Sequence, residues 1–474
     1  MRSCRLQLLP VLLPLLLAAN GSGSGSAPEA GAAGEPEATP APGTGAPPAA
    51  PELLPAGRVE GPVAFPFEEG EHVLFEHVRE LRPFLPPQIW AHRSLFFYEG
   101  MDLEIGPPHR DYSPAPVYLE ATRRFRGRAR VGPGGELLDY VAGQPFPVDE
   151  VDCDADPQAG AKLIWDFVYR WQGFGVESHF RYVYLDRGEV LPLRYGGTTF
   201  GWLLKHRPEP RYLAQGGDVF PKEIRAVVVG FEVEEPDSAR GTRTLTYRYE
   251  DSFAPPPRFR PEDTWIYMRD LRRIRKISET QRSIAVAGTD FSFDDLFSFS
   301  GLPWQYEWRC VGERDVLAPM NTRRLGYPYV DLTDFGPSGL SLAHDRYELR
   351  RAIVLEMRPR DPSHPYQRKE IWLDRQTLQP LYSFAYDRTG ALWKIIQHLH
   401  RWSEDELVGI APRNWYPAWE SVPQPRDLRV IVDVIANVQT GTGNRIEFWD
   451  AHGTPPPVGR LRRMIDVRRL RRGR

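Results

Sequence analysis

Beyond residue 57 the hydrophobic pattern changes period once along the chain. Two stretches with helical spacing come first, HVLFEHVRELRPFLPP and PPQIWAHRSLFF, each limited by prolines. Pro-rich irregular chain is expected from there to about Pro147. AGAKLIWDFVYRWQGFG predicts the clearest helix, with Leu163, Phe167 and Trp171 on one stripe and Gly173 just past its end. After that the period becomes two. SHFRYVYLDRGEVLPLRY alternates around a turn at Asp186-Arg187-Gly188. EIRAVVVGFEVEE and TRTLTYRYED predict an antiparallel pair, with Leu245, Tyr247 and Tyr249 on one face of the second strand. TWIYMRDLRRIRKI predicts two short strands around Arg269-Asp270.

The same pattern continues through RYELRRAIVLEMRP, QRKEIWLDRQTLQPLYSFAYDRTGALWKIIQHLHRW, LRVIVDVIANVQ and GNRIEFWDA. The Asp387-Arg388-Thr389-Gly390 turn suits a hairpin whose glycine takes a positive φ. No repeat of 20–50 residues is visible, which argues against a propeller or solenoid. Strands in hairpin succession predict one long, curved antiparallel sheet. Tyr382, Phe384 and Tyr386 fall on one face of their strand. That face needs cover from a helix, a second sheet or a bound apolar molecule.

Composition adds location. Residues 1–20, MRSCRLQLLPVLLPLLLAAN, have Arg2 and Arg5 ahead of a short apolar run and predict a secretory signal peptide. Cys4 precedes the run, so lipid anchoring is not expected. Residues 21–57 are an Ala/Pro/Gly-rich tether without aromatics, and residues 58–474 are expected to form one domain with a helical and Pro-rich extension over 58–175. No later segment holds 18 uninterrupted apolar residues. Cys153 and Cys310 remain after cleavage, either as one disulfide or as two separate buried thiols. The formal net charge of −3 gives no indication of nucleic-acid binding. The exception is the C-terminus, where residues 458–474 carry eight arginines against one acid, Asp466.

Chemistry is sparse. G-x-S-x-G, H-E-x-x-H, P-loop and dinucleotide-binding patterns are absent. Cys310 sits in a strand-like run without a glycine elbow. His398 and His400 are two apart in a strand, but a zinc site needs a third ligand that no spacing indicates. AGTDFSFDDLFSFSG, residues 287–301, groups Asp290, Asp294 and Asp295 without the spacing of a calcium loop. It reads as a helix start, with Ser292 capping the first turn, Asp294 and Asp295 near the positive end of the dipole, and Phe293, Leu296 and Phe297 facing inward. Upstream, Arg273 and Arg275 project from one strand face, and one of them is expected to hold a buried Asp290.

The stretch TWIYMRDLRRIRKISETQRSIAVAGTDFSFDDL resembles a segment of periplasmic proteins related to outer-membrane lipoprotein sorting. Trp265, Tyr267, Arg273, Arg275, Gly288, Thr289, Asp290, Phe291, Ser292, Phe293, Asp294, Asp295 and Leu296 carry that pattern. DYVAGQPFP, LPWQYEWRCVGERDVLAPMNTRRL, RYELRRAIVLE, RKEIWLDRQT and DVRRLRRGR extend the likeness over nearly the whole mature chain. Together they resemble the proteobacterial family called domain of unknown function 1329. The resemblance implies a mainly β fold, a large curved antiparallel sheet forming a half-open (LolA/LolB-like) β-barrel with plugging helices. It makes Arg273, Arg275, Gly288, Asp290 and Asp294 a structural motif.

The expected function is a non-enzymatic periplasmic carrier or binding protein for a lipid, acyl or other hydrophobic ligand, in outer-membrane biogenesis or export. The expected lining is Trp265, Tyr267, Trp308, Tyr347, Trp372, Tyr382, Phe384, Tyr386 and Trp393. No cofactor, metal or catalytic residue is expected. The alternative is a ligand-free structural partner of an outer-membrane or exporter assembly, whose basic tail docks on anionic headgroups or an acidic protein face.

Overall fold

The computed structural model describes residues 64–186, 189–269, 272–277, 282–323, 334–405, 425–453 and 455–472. The predicted signal peptide and the whole tether lie outside them, as do Arg187, Gly188 and Asp270 of the predicted turns. Residues Ala56–Arg474 form one compact unit.

Among the described residues seventeen strands follow one another: β1 (His72–Leu74), β2 (Asp102–Ile105), β3 (Arg130–Val131), β4 (Leu137–Leu138), β5 (Gly175–Asp186), β6 (Glu189–Leu203), β7 (Arg225–Glu235), β8 (Arg243–Tyr249), β9 (Asp263–Met268), β10 (Arg273–Ile277), β11 (Tyr306–Pro319), β12 (Arg346–Pro359), β13 (Tyr366–Asp374), β14 (Pro380–Asp387), β15 (Leu392–Trp402), β16 (Leu428–Asn437) and β17 (Thr442–His452). The α-helices named among the described residues are α1 (Pro87–Ala91), α2 (Pro116–Phe125), α3 (Ala159–Val168), α4 (Pro210–Leu213) and α5 (Val458–Met464). All strands but β3 and β4 join one sheet, in the order β1-β2-β12-β13-β14-β15-β16-β17-β5-β6-β7-β8-β9-β10, with β11 paired to β12. Neighbours are antiparallel except β2 beside β12. The order does not return on itself among the described residues, so the sheet is a half-open β-barrel.

Most hairpins follow the sequence pattern. β7 and β8 pair as predicted, and Leu245, Tyr247 and Tyr249 are buried on one face. Gly390 closes the β14–β15 turn at φ +87°, where a side chain would be strained. The first predicted helix is a 3₁₀ segment, Phe75–Phe84, that contains Pro83. Proline lacks the N–H that an α-helix needs there. The stretch expected to be irregular holds β2, α2 and the β3–β4 hairpin. β2 forms because Leu103 and Ile105 are buried while its backbone pairs with β1 and β12. α3 stops at Val168, so Trp171 leaves the predicted stripe and packs on Tyr118 and Phe174 instead.

The two halves of the sheet differ in cover. Successive residues of a strand point to opposite sides. In β14, Tyr382, Phe384 and Tyr386 join the main core with Val78, Leu81, Ile89 and Phe96 from the N-terminal segment. Ala385, on the other side of the strand, packs with α3 through Leu163, Ile164 and Phe167. In β16, Val432, Val434 and Ala436 face the main core, while Ile435 meets Phe291 on the other side. In β5–β9 one side packs on α5 and its flanks, through Trp202, Val228, Leu245, Leu461 and Ile465. The other side is only partly covered among the described residues. A disulfide joins Cys153, ahead of α3, to Cys310 on β11.

Candidate functional site

Strand register identifies the partly covered face. Directly paired residues of neighbouring strands point to the same side. Phe180 pairs with Phe448 and Gly197, and Tyr182 with Ile446 and Tyr195. Thr199 pairs with Phe231, Gly201 with Val229, and Phe231 with Thr244. Thr244 pairs with Ile266, and Ile266 with Arg275. Phe180, Tyr182, Tyr195, Phe231, Ile266 and Phe448 are all half-buried, and Val229 is 43% exposed. They form a continuous floor. Phe180 and Phe231 meet edge to face with ring centroids 6.4 Å apart, and Tyr182 and Tyr195 lie 6.4 Å apart. Glycines at 197 and 201 leave the middle of this floor without side chains. A Cβ built at Gly201 would make an ordinary 3.8 Å contact with Val229 Cγ2, so the backbone does not require glycine there.

The segment around residues 286–299 forms one wall of the floor. Phe291 packs on Ile396, Ile435 and Ile446, and Val286, Phe293 and Leu296 gather beside Tyr182 and Phe448. Phe297 contacts Phe448 with ring centroids 5.8 Å apart. This inverts the predicted helix. The segment Phe293–Ser298 is 3₁₀ with a kink, Phe297 and Ser298 have positive φ, and the fully buried side chains are Ser292, Asp295 and Ser298. Phe293, Leu296 and Phe297 are only half-buried. Ser292 does not cap the turn; its hydroxyl donates to Asp295 Oδ2 at 2.8 Å.

Polar partners from distant strands explain the inversion. Asp295 accepts from Lys369 Nζ at 2.7 Å, Lys394 Nζ at 3.1 Å and the Tyr366 hydroxyl at 2.6 Å. Burial alone would raise its carboxyl, but the two ammonium groups outweigh it and hold the carboxyl well below the usual range. Asp294 accepts from Arg282 Nε at 2.9 Å. Asp290 is buried as expected, but not against Arg273 or Arg275. Its carboxylate accepts from Asn437 Nδ2 at 2.7 Å and the Thr442 hydroxyl at 2.5 Å. The reason is position: β16 and β17 carry those partners, while β10 closes the far edge of the sheet. Gly288 has φ +75° with open space around it, so backbone conformation alone selects glycine. Arg273 and Arg275 are exposed on the edge strand.

A second buried group has no counterpart in the sequence pattern. Ser298 Oγ lies 2.6 Å from His398 Nε2, and His398 Nδ1 lies 2.5 Å from Asp433 Oδ1. Asp433 Oδ2 also accepts the Phe297 N–H at 3.1 Å. The order matches a hydrolytic Ser-His-Asp triad. All three side chains are fully buried beneath the wall segment, so the hydroxyl has no contact with solvent. Here the group anchors a kinked turn to β15 and β16. His400 is not a zinc partner of His398: a register shift separates them, and both nitrogens of His398 are engaged. Burial, with His398 second, pushes the His400 imidazole down to about 3. Among the described residues no group of three metal-ligating side chains exists.

Of the nine aromatics expected to line one groove, eight are spread over three cores and Tyr267 belongs to none of them. Tyr347, Trp372, Tyr382, Phe384 and Tyr386 are buried in the main core, where the N-terminal segment already covers them. Trp308 and Trp393 pack around the α3 side, and Trp265 packs with Tyr247 beside α5. Tyr267 lies under the Arg243 guanidinium. None of these nine faces the floor of Phe180, Tyr195 and Phe231. The signal that points to that floor is alternation with small residues, in strands such as YGGTTFGWL, rather than aromatic density. A separate cavity of about 420 Å³ at the end of the β7–β8 hairpin is lined by charged residues, among them Glu232, Glu235, Arg240 and Arg269.

A family model described as protein of unknown function DUF1329 matches residues 89–440. An uncharacterized protein of Pseudomonas aeruginosa, PA3922, is 22% identical over 318 residues, covering 65% of this chain. The match spans 64% of that relative's own length. A DUF1329 family protein from Desulfovibrio piger is 16% identical with a TM-score of 0.38, covering 63% of this chain and 93% of that one. A LolA superfamily protein from Nitrosomonas europaea is 12% identical with a TM-score of 0.33, covering 61% of this chain and 91% of that one.

Proposed function

The chain belongs to the family described as protein of unknown function DUF1329, and from that premise we propose that it is a non-enzymatic envelope protein that shelters a hydrophobic ligand on the half-open floor. One observation carries this reading. A continuous apolar floor from Phe448 to Ile266 is left half-buried, while Tyr347, Trp372, Tyr382, Phe384 and Tyr386 are packed in the main core. Unfilled apolar surface of this kind marks a binding site. A chain of a dozen methylenes, at about 0.8 kcal/mol each when buried, supplies ample gross affinity before ordering costs. The Cys153–Cys310 disulfide suits an oxidising compartment such as the periplasm.

The test is binding of a long-chain fluorescent fatty acid to the purified full chain. Gly201→Val fills the floor without backbone strain, and Val229→Asp puts a charge on it. Both variants are expected to lose most of the binding. Leu74→Ser, at an exposed apolar residue outside the floor, is expected to bind as the parent does. Absence of binding by the parent chain, together with no lipid in native mass spectra, would overturn the reading. It would favour a ligand-free partner of a membrane assembly.

A further inference from the structure

The floor ends at β10, where two of the three floor-side positions, Arg273 and Arg275, are cationic. Arg275 pairs with Ile266, and Arg273 pairs with Met268. Both therefore point to the same side as Phe231 and Ile266, since Ile266 pairs with Thr244 and Thr244 with Phe231. Both are exposed, and neither has an ion-pair partner among the described residues. Among the described residues, the acids Glu262 and Asp294 near this end are already matched. Glu262 receives Arg248 and Arg282, and Asp294 receives Arg282. Lys276, on the opposite side of β10, pairs with Asp263. Among the described residues, Arg273 and Arg275 thus place positive charge at one end of an apolar surface.

An apolar track ending in two exposed guanidinium groups, unpaired among the described residues, complements a molecule with a hydrocarbon tail and a negative head. We propose that the ligand is an anionic amphiphile. Its tail lies over Phe180, Phe231 and Ile266, and its carboxylate or phosphate is held by Arg273 and Arg275. This rests on the reading of the floor as a ligand site and adds the chemistry of the head. Guanidinium groups suit both head types, because each can present two parallel N–H donors to two oxygens. An edge strand also carries cations for another reason, to discourage pairing with a second chain. The two roles lead to different behaviour in competition binding.

A bound fluorescent fatty acid is displaced from the full chain by three single-chain competitors. These are palmitate, lysophosphatidylglycerol and monopalmitoylglycerol, the last being neutral. The parent chain is expected to prefer one or both anionic competitors over the neutral one, and to lose that preference at high salt. Palmitate against lysophosphatidylglycerol tells a carboxylate head from a phosphate head. Arg273→Gln with Arg275→Gln should weaken the anionic competitors roughly three- to tenfold, as for two exposed charge contacts. The neutral competitor should be unaffected. Arg273→Lys with Arg275→Lys should restore part of the preference.

Equal displacement by all three competitors would overturn the anionic head while leaving the apolar site intact. The anionic head is also overturned if the glutamine pair self-associates but keeps its preference, since the arginines would then guard the edge. No displacement by any competitor would remove the ligand site itself.

Discussion

Both halves of the sheet carry aromatic residues, yet they end in different states. In β12–β16 both sides are covered, and even polar side chains such as Ser383, Gln397 and Asn437 are buried. In β5–β9 one side rests on α5 and the other carries half-buried Phe180, Tyr195, Phe231 and Ile266. Strand composition differs accordingly. β16 reads LRVIVDVIAN, with apolar residues on both faces, whereas β8 reads RTLTYRY, with apolar residues on one. Aromatic density therefore points toward packed core in this molecule, and sparser aromatics among threonines and glycines mark the surface left available.

The largest expected effect tests the most heavily covered part of the contrast. Asp295→Ala leaves Lys369 and Lys394 buried without their carboxylate. Breaking a buried pair costs about 3–5 kcal/mol, so this variant should lose most of its thermal stability or fail to accumulate. A melting temperature close to that of the parent would mean that these charges do not anchor the wall segment.

Next comes a matched pair of truncations. Phe384→Ala opens a cavity in the doubly covered half and should cost about 3–5 kcal/mol in urea unfolding. Phe231→Ala, on the half-open floor, should cost about 1 kcal/mol, because its ring keeps contact with water in the folded state. Equal costs would erase the distinction between the halves.

Two groups trapped in the covered half give opposite pH dependences. His400 is pushed down to about 3 by burial, below its unfolded value near 6.5. Its contribution is complete above pH 6.5 and is lost as pH falls toward 3, by about 1.4 kcal/mol per pH unit at most. Glu348 is pushed up to about 7 by burial, above its unfolded value near 4.5. Its contribution is complete below pH 4.5 and is lost as pH rises through 7. His400→Leu should therefore flatten the acid branch of the stability profile, and Glu348→Gln should steepen it between pH 4.5 and 7. Identical slopes in urea titrations of parent and variants would contradict both assignments.

The smallest effect is expected at the floor's basic end. Arg273→Gln with Arg275→Gln should leave the melting temperature within about 1 °C of the parent, because both side chains are exposed and have no ion-pair partner among the described residues. A large loss of stability would return these arginines to a structural role.

The hairpin succession was legible in the sequence because strand alternation and turn residues are local properties. β7–β8, β9–β10 and β14–β15 lie where the pattern puts them. The structural motif around Asp290 was legible as motif only. Its burial follows from the pattern, but its partners, Asn437 and Thr442, lie about 150 positions along the chain, where spacing carries no information. The Ser298–His398–Asp433 group was hidden for the same reason. The floor was not legible from aromatic density, because the strands richest in aromatics are the ones that fill cores.

By itself the sequence determined the class of fold, the order of hairpins and which residues of each strand share a side. Period-two alternation assigns residues to the two sides of a strand through the geometry of the backbone. Only the tertiary structure decided which side of which strands would be covered. That depends on where the N-terminal segment, α3, α5 and the wall around Phe291 come to rest on the sheet. Burial is a property of the whole packing, so the same aromatic residue becomes core in one half of the sheet and floor in the other.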